Sequence, residues 1–249
     1  MTHIAASPVL GVRVHHATMA QAVQAVRRML QAGGVHQIVT ANGAMLVRAA
    51  RDERIRHALN NASLAIADGI GVVLAARILG RPAFPRVPGV ELAQEVCALA
   101  AAEKRRVFLL GAAPGVAAAA AEVLRKRYPG LQVVGVVDGY FRDDSVAIDA
   151  IRQARPDVLF VALGFPRQEL WIASHRERLG VPVCMGVGGT LDVLAGRVRR
   201  APQLVQHMGL EWAYRLMQEP RRWRVAISLP LVIVLAVVER VKEGWKRRQ

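Results

Sequence analysis

Four short runs between positions 106 and 187 are apolar almost throughout: Arg106–Gly111, Leu131–Val137, Asp157–Leu163 and Pro182–Val187. A strand with one face in water turns polar at every second position. An unbroken apolar run therefore belongs in a sheet covered on both faces. Helical stretches fill the gaps: Pro114–Arg127, whose proline suits a first helical turn, then Ser145–Gln153 and Arg167–Arg178. Strand and helix alternating across short links specify a doubly wound, mostly parallel α/β sheet.

The first hundred residues extend the same pattern less regularly. An extended start over Pro8–His15 precedes Thr18 and Gln21, which have capping-box spacing and open a helix to Leu30 that Gly33 and Gly34 end. His36–Thr40 reads as a strand, Ala44–Asn60 as a helical stretch and Ser63–Ala67 as a second strand ending at Asp68. Helices over about 70–79 and 89–104 follow. Beyond Arg200 only helical signals remain, so residues 1–200 form the expected core and residues 201–249 a helical appendage.

Charge sharpens that division. The net charge is +15, and from Arg197 onward twelve Lys/Arg face four Asp/Glu, a net +8 in 53 residues. A basic end points to an anionic surface. The neighbouring run Val225–Val238 (VAISLPLVIVLAVV) favours lipid over nucleic acid, because nucleic-acid grooves need no such segment, and no nucleic-acid reader motif occurs. That run carries Pro230 and falls short of the roughly 18 apolar residues a spanning helix needs. With Trp223 and Trp245 at its ends it suits a helix lying in the membrane interface, and a core helix or an oligomer contact is the competing reading. The N-terminus lacks the features of a signal peptide. Cys97 and Cys184 sit singly in apolar runs, as core residues in a reducing compartment do.

Open parallel sheets bind ligands outside the carboxyl ends of their strands. The residues there are Thr40-Ala-Asn42, Asp68-Gly69, Gly111–Gly115, Asp138-Gly-Tyr140, Gly164–Gln168 and Gly188-Gly189-Thr190-Leu-Asp192. Glycine lets backbone approach a ligand closely, and helix N-terminal amides attract phosphate, although each such turn also serves as plain punctuation. None is a recognised phosphate loop. There is no DxD or HExxH, so no metal site is expected, and a donor diphosphate would be neutralised by arginines and amide dipoles. Asp68 is placed either as a general base or as the N-cap of the helix starting at Ile70. Tyr140 suits stacking on a base or partial burial in the core. Trp171 and Trp212 read as core, and His15-His16 as structural.

Several of these segments occur together, and in the same order, in a known family. Thr40-Ala-Asn42, Ala67-Asp68-Gly69, Arg86-Val-Pro-Gly89, Leu163–Glu169 with Trp171, and Gly186–Asp192 resemble the WecG/TagA/CpsF glycosyltransferases. So does Arg199–Pro202 followed by Gly209–Arg224 (GLEWAYRLMQEPRRWR), the most specific block. The resemblance runs from about Val9 to Arg224, and the apolar segment beyond it is expected to depart from shorter relatives.

The resemblance implies a Rossmann-like core and an inverting, metal-independent transferase without cofactor. It would move a sugar from a UDP-sugar, N-acetylmannosamine or its uronic acid first, to an undecaprenyl-diphosphate-linked sugar in cell-surface polysaccharide synthesis. Asp68 would be the base, with Thr40, Asn42, Arg86 and Gln168 around it. Arg215, Arg221 and Arg224 would close over the diphosphate. The glycines Gly111, Gly164, Gly188 and Gly189, with Tyr140 and Asp192, would serve the nucleotide. Such an enzyme would sit peripherally on the cytoplasmic face of the bacterial inner membrane, as a monomer or a homo-oligomer. The alternatives are a UDP-glucose-type transferase of exopolysaccharide assembly and a non-catalytic nucleotide-binding scaffold. A dehydrogenase or epimerase would need a dinucleotide fingerprint and a Tyr/Lys pair or catalytic Cys, which are not visible.

Overall fold

The computed structural model describes residues 4–208, 210–218 and 227–246, without the side chains of residues 206, 207, 215 and 246. Its centre is a six-stranded, wholly parallel sheet of β3 (His36–Ala41), β4 (Leu64–Ala67), β5 (Arg106–Gly111), β6 (Gln132–Val137), β7 (Val158–Ala162) and β8 (Val183–Gly186), in the order β4-β3-β8-β7-β5-β6. The extended start is a hairpin, β1 (Ala6–Val9) and β2 (Val12–His15), paired antiparallel. Its two turn residues, Leu10 and Gly11, both have positive φ (50° and 76°), as a tight type I′ turn requires.

Period-two alternation sorts the buried strand residues onto two covered faces. Ile38, Leu64, Ile66, Val107, Leu109, Val158, Phe160, Val183 and Met185 face α1 (Met19–Ala32), α5 (Gly89–Ala102), α6 (Val116–Arg127) and α9 (Thr190–Leu194). On the opposite face Phe108, Leu110, Leu159, Val161 and Cys184 pack under α7 (Asp144–Ala154) and α8 (Arg167–Leu179). Val39, Ala41, Ala65 and Ala67 lie beside them under α2 (Gly43–Ala49), α4 (Ile70–Ile78), α3 (Glu53–Asn60) and the hairpin. Both cysteines are buried thiols that burial pushes up to about 12. The capping box at Thr18/Gln21 forms as its spacing implies. The stretch expected as one helix over 44–60 divides, because Asp52 turns its side chain onto the amides of Arg54 and Ile55 and starts a new helix.

Beyond Arg200 come α10 (Gln203–His207), α11 (Glu211–Gln218) and α12 (Ser228–Lys246). One face of α12 belongs to the main body: Val232 and Ala236 are fully buried against α2 and α4. Gly43 and Gly71 make room for this approach. An added Cβ at Gly71 would stand 3.1 Å from Leu229 Cδ1, and one at Gly43 would stand 3.6 Å from Ser228 Oγ. Further along, Arg240 donates to Leu79 O at 3.2 Å and Arg81 pairs with Glu243. The opposite face, Val234, Val237, Val238, Val241 and Trp245, is exposed. No helix among the described residues is long and apolar enough to cross a membrane.

Candidate active site

The six loops named from the sequence line one edge of the sheet in the spatial order Asp68, Asn42, Gly188, Gly164, Gly111, Asp138. Five inter-strand spacings separate the first from the last, about 24 Å. One substrate cannot use all six closely, and the side chains sort into groups.

At the β3–β4 end the turns are built into one another. The Asp68 amide donates to Ala41 O at 2.9 Å, and Asp68 Oδ1 accepts from the Gly89 amide at 3.0 Å. Gly89 is the first residue of α5, so the carboxylate sits at that helix's positive end. Asp68 does not cap α4, whose N-cap Gly69 makes no side-chain bond. Asp68 therefore caps a helix, but one that begins 21 residues later. Arg86 donates through Nε to Asp68 O at 2.9 Å, which brings a guanidinium to the carboxylate's own turn. Thr40 packs against Gly89, where an added Cβ would stand 3.0 Å from Thr40 Oγ1. Asn42 caps α2 through Met45 N at 3.2 Å, and its Cβ lies 3.5 Å from where one on Gly69 would be. Thr40, Asn42, Asp68 and Arg86 are thus brought together at this end.

Four residues that sequence reasoning gave no role join this end. Gly89 is the first. Glu211 of α11 accepts from Arg86 Nη2 at 2.9 Å and lies 3.7 Å from Arg200 Nε, and Arg200 in turn pairs with Glu91. The alternating chain Arg86–Glu211–Arg200–Glu91 ties the C-terminal helices to the Asp68 turn. Glu211 lies inside the most specific sequence block, yet nothing local marks it out from any surface acid.

In the middle of the edge, Gln168 is 2% exposed. Its Oε1 accepts from the Gly164 amide (3.1 Å) and the Gly188 amide (3.0 Å), and its Nε2 donates to Glu169 Oε1 (2.8 Å). The Gly164 and Gly188 amides, expected to face phosphate, are thus engaged within the protein. Gly189 is the N-cap of α9, and Asp192, half-buried in that helix, accepts on its backbone oxygen from the amides of Arg197 and Val198. Gly111 is required by packing: a Cβ there would meet Ala162 backbone atoms at 2.5 Å, which leaves no room on that side for a ligand.

At the far end Tyr140 is 73% exposed, which removes the core reading. Trp171 is buried, with Nε1 donating to Asp144 Oδ1 at 2.9 Å, whereas Trp212 is 38% exposed and is not a core residue as expected. Its place on α11, a short helix on the outside of the body, explains that. His15 and His16 are structural: His15 Nδ1 lies 3.1 Å from the Ala65 backbone, and His16 Nε2 lies 2.9 Å from Ser7 Oγ. Arg221, Arg224 and Trp223 lie outside the described residues. Position 215 is one turn beyond Glu211 on α11, and its side chain also lies outside the description. Among the described residues no three His, Cys, Asp or Glu side chains gather as a metal-ligand set.

Residues 7–246 match the family model described as "Glycosyl transferase WecG/TagA/CpsF family". The chain belongs to that family. It is a glycosyltransferase, and the matched residues extend through α12. Among similar proteins is an N-acetylglucosaminyldiphosphoundecaprenol N-acetyl-beta-D-mannosaminyltransferase of Bacillus spizizenii. It is 39% identical over 193 residues, covering 78% of this chain and 75% of the relative. A Staphylococcus aureus protein of the same description is 36% identical over 228 residues, 90% of this chain and 89% of the relative.

Proposed function

We propose that the chain transfers N-acetylmannosamine, or its uronic acid, from a UDP-sugar to N-acetylglucosaminyl-diphosphoundecaprenol, with inversion and without a metal ion. The observation that carries this reading is Asp68: a carboxylate at a strand's carboxyl end, held by a helix N-terminal amide, with Arg86 on the same turn. The acceptor named for the relatives supplies the second substrate.

In the reaction, Asp68 takes the proton from an acceptor hydroxyl as that oxygen bonds to the anomeric carbon. The bond from the anomeric carbon to the diphosphate oxygen breaks on the opposite face, and UDP leaves with the electron pair. Arg86 meets charge growing on the leaving group, joined by the arginines at 215, 221 and 224. Thr40 and Asn42 line the sugar pocket. Gln168 holds the glycine turns over which the nucleotide lies, with Asp192 near the uridine. The exposed apolar face of α12, flanked by basic residues, rests on the cytoplasmic face of the inner membrane and brings the site to its lipid-linked acceptor.

The test offers a panel of UDP-sugars with a short-chain prenyl-diphosphate-linked N-acetylglucosamine, in the presence of EDTA, and follows UDP release. UDP-N-acetylmannosamine should be turned over, and Asp68→Asn should lose turnover while still binding donor. Turnover that requires magnesium, or an active Asp68→Asn protein, would refute the mechanism.

A further inference from the structure

The carbonyl end of the Gln168 amide receives two N–H groups from two different loops, and its NH2 end has Glu169 Oε1 as acceptor. An amide can be turned end for end within its own volume. Turned round, it would set its NH2 against the Gly164 and Gly188 amides and its carbonyl against a carboxyl oxygen. The acceptor at Glu169 makes the observed sense the satisfied one. Three further features converge on the same bond. A Cβ at Gly186, the last residue of β8, would lie 2.7 Å from Gln168 Nε2 and 2.8 Å from Glu169 Oε1, so the strand leaves space for the pair. Gln37 of β3 donates through Nε2 to Glu169 O at 3.2 Å, anchoring the same residue from a third strand. Glu169 itself is 1% exposed, and its Oε2 is buried without a partner, a cost that an apolar residue would not incur.

We propose that Glu169 is a positioning residue of the donor site, its buried carboxyl fixing Gln168 as a strut that sets the spacing of the glycine loops after β7 and β8. The inference rests on the reading that those loops lie under the nucleotide. Because burial pushes the Glu169 carboxyl up to about 7, it accepts from Gln168 largely as an uncharged group at mildly acidic pH. An amide carbonyl in its place would do the same work.

The test compares the full-length wild type with Glu169→Leu and Glu169→Gln. It reads hydrogen–deuterium exchange over residues 163–168 and 186–190, and KM for UDP-N-acetylmannosamine and for the lipid-linked acceptor. Glu169→Leu should speed exchange in both loops and raise donor KM about tenfold, the scale of one lost buried hydrogen bond, with acceptor KM within about twofold. Glu169→Gln, which restores an acceptor, should return both readouts close to wild type. Should Glu169→Leu fail to fold, Glu169→Asp, which withdraws the acid by one methylene, carries the same expectation. Wild-type exchange and donor KM in the Leu or Asp variant would overturn the proposal, as would a Gln variant as impaired as Leu. If the wild type turns over no UDP-sugar, the proposed function fails by itself, and the exchange comparison still decides whether the strut exists.

Discussion

Glu169 makes the stability of this protein depend on pH in an unusual direction. Its carboxyl titrates near 7 in the folded chain, against 4.5 when free of burial. Below about pH 4.5 the group is protonated in both folded and unfolded chains and contributes no difference. Between 4.5 and 7 the folded chain keeps a proton that the unfolded chain has released, so raising the pH favours unfolding. The interval of 2.5 units corresponds to about 3 kcal/mol lost by pH 7, with little further change above it. Glu169→Gln is uncharged throughout and escapes this loss. Urea unfolding of both proteins at pH 5, 6, 7 and 8, followed by tryptophan fluorescence, isolates the residue, since every other titration is common to the pair. The stability of the Gln variant relative to wild type should climb by a few kcal/mol from pH 5 to pH 8, with m-values unchanged. Parallel curves would show that Glu169 carries its charge equally well folded and unfolded, and would refute the burial argument.

Three other perturbations test the architecture around the site. Gly89→Ala places a methyl 3.0 Å from Thr40 Oγ1 at the residue whose amide holds Asp68, so turnover should fall at least tenfold while the melting temperature drops by only a few degrees in calorimetry. Val232→Ala, in the buried face of α12, should cost about 2 kcal/mol in chemical denaturation, showing that this helix is part of the cooperative fold. Val238→Glu with Val241→Glu, on the exposed face of the same helix, should abolish co-sedimentation with anionic liposomes and leave the melting temperature unchanged.

Those two faces of α12 show where sequence reading stops. The run Val225–Val238 is apolar on nearly every side, and its composition serves a membrane helix and a core helix alike. Contacts with residues remote in the chain, among them the glycines at positions 43 and 71, determine which stripe is covered by protein. Asp68 shows the same limit. Its position before Ile70 is a local signal for capping α4, but β4 lies at the sheet's edge beside the start of α5, and the nearer donor comes from Gly89. Likewise Glu169 reads as an ordinary acid in a first helical turn. Its burial follows from α8 lying over Gly186 and Gln37.

The sequence alone determined the layered α/β class, the strands between positions 106 and 187, the capping box at Thr18 and the residues that follow each strand. These depend on period, caps and glycine turns, whose physics spans a few neighbouring residues. The order β4-β3-β8-β7-β5-β6 was decided only in three dimensions, and with it which of the six loops could share a substrate. Strand order depends on how crossover helices pack on each face, a property of pairs of elements far apart in the chain. For that reason Tyr140 and Asp68, equivalent as residues following a strand, end at opposite edges of one sheet.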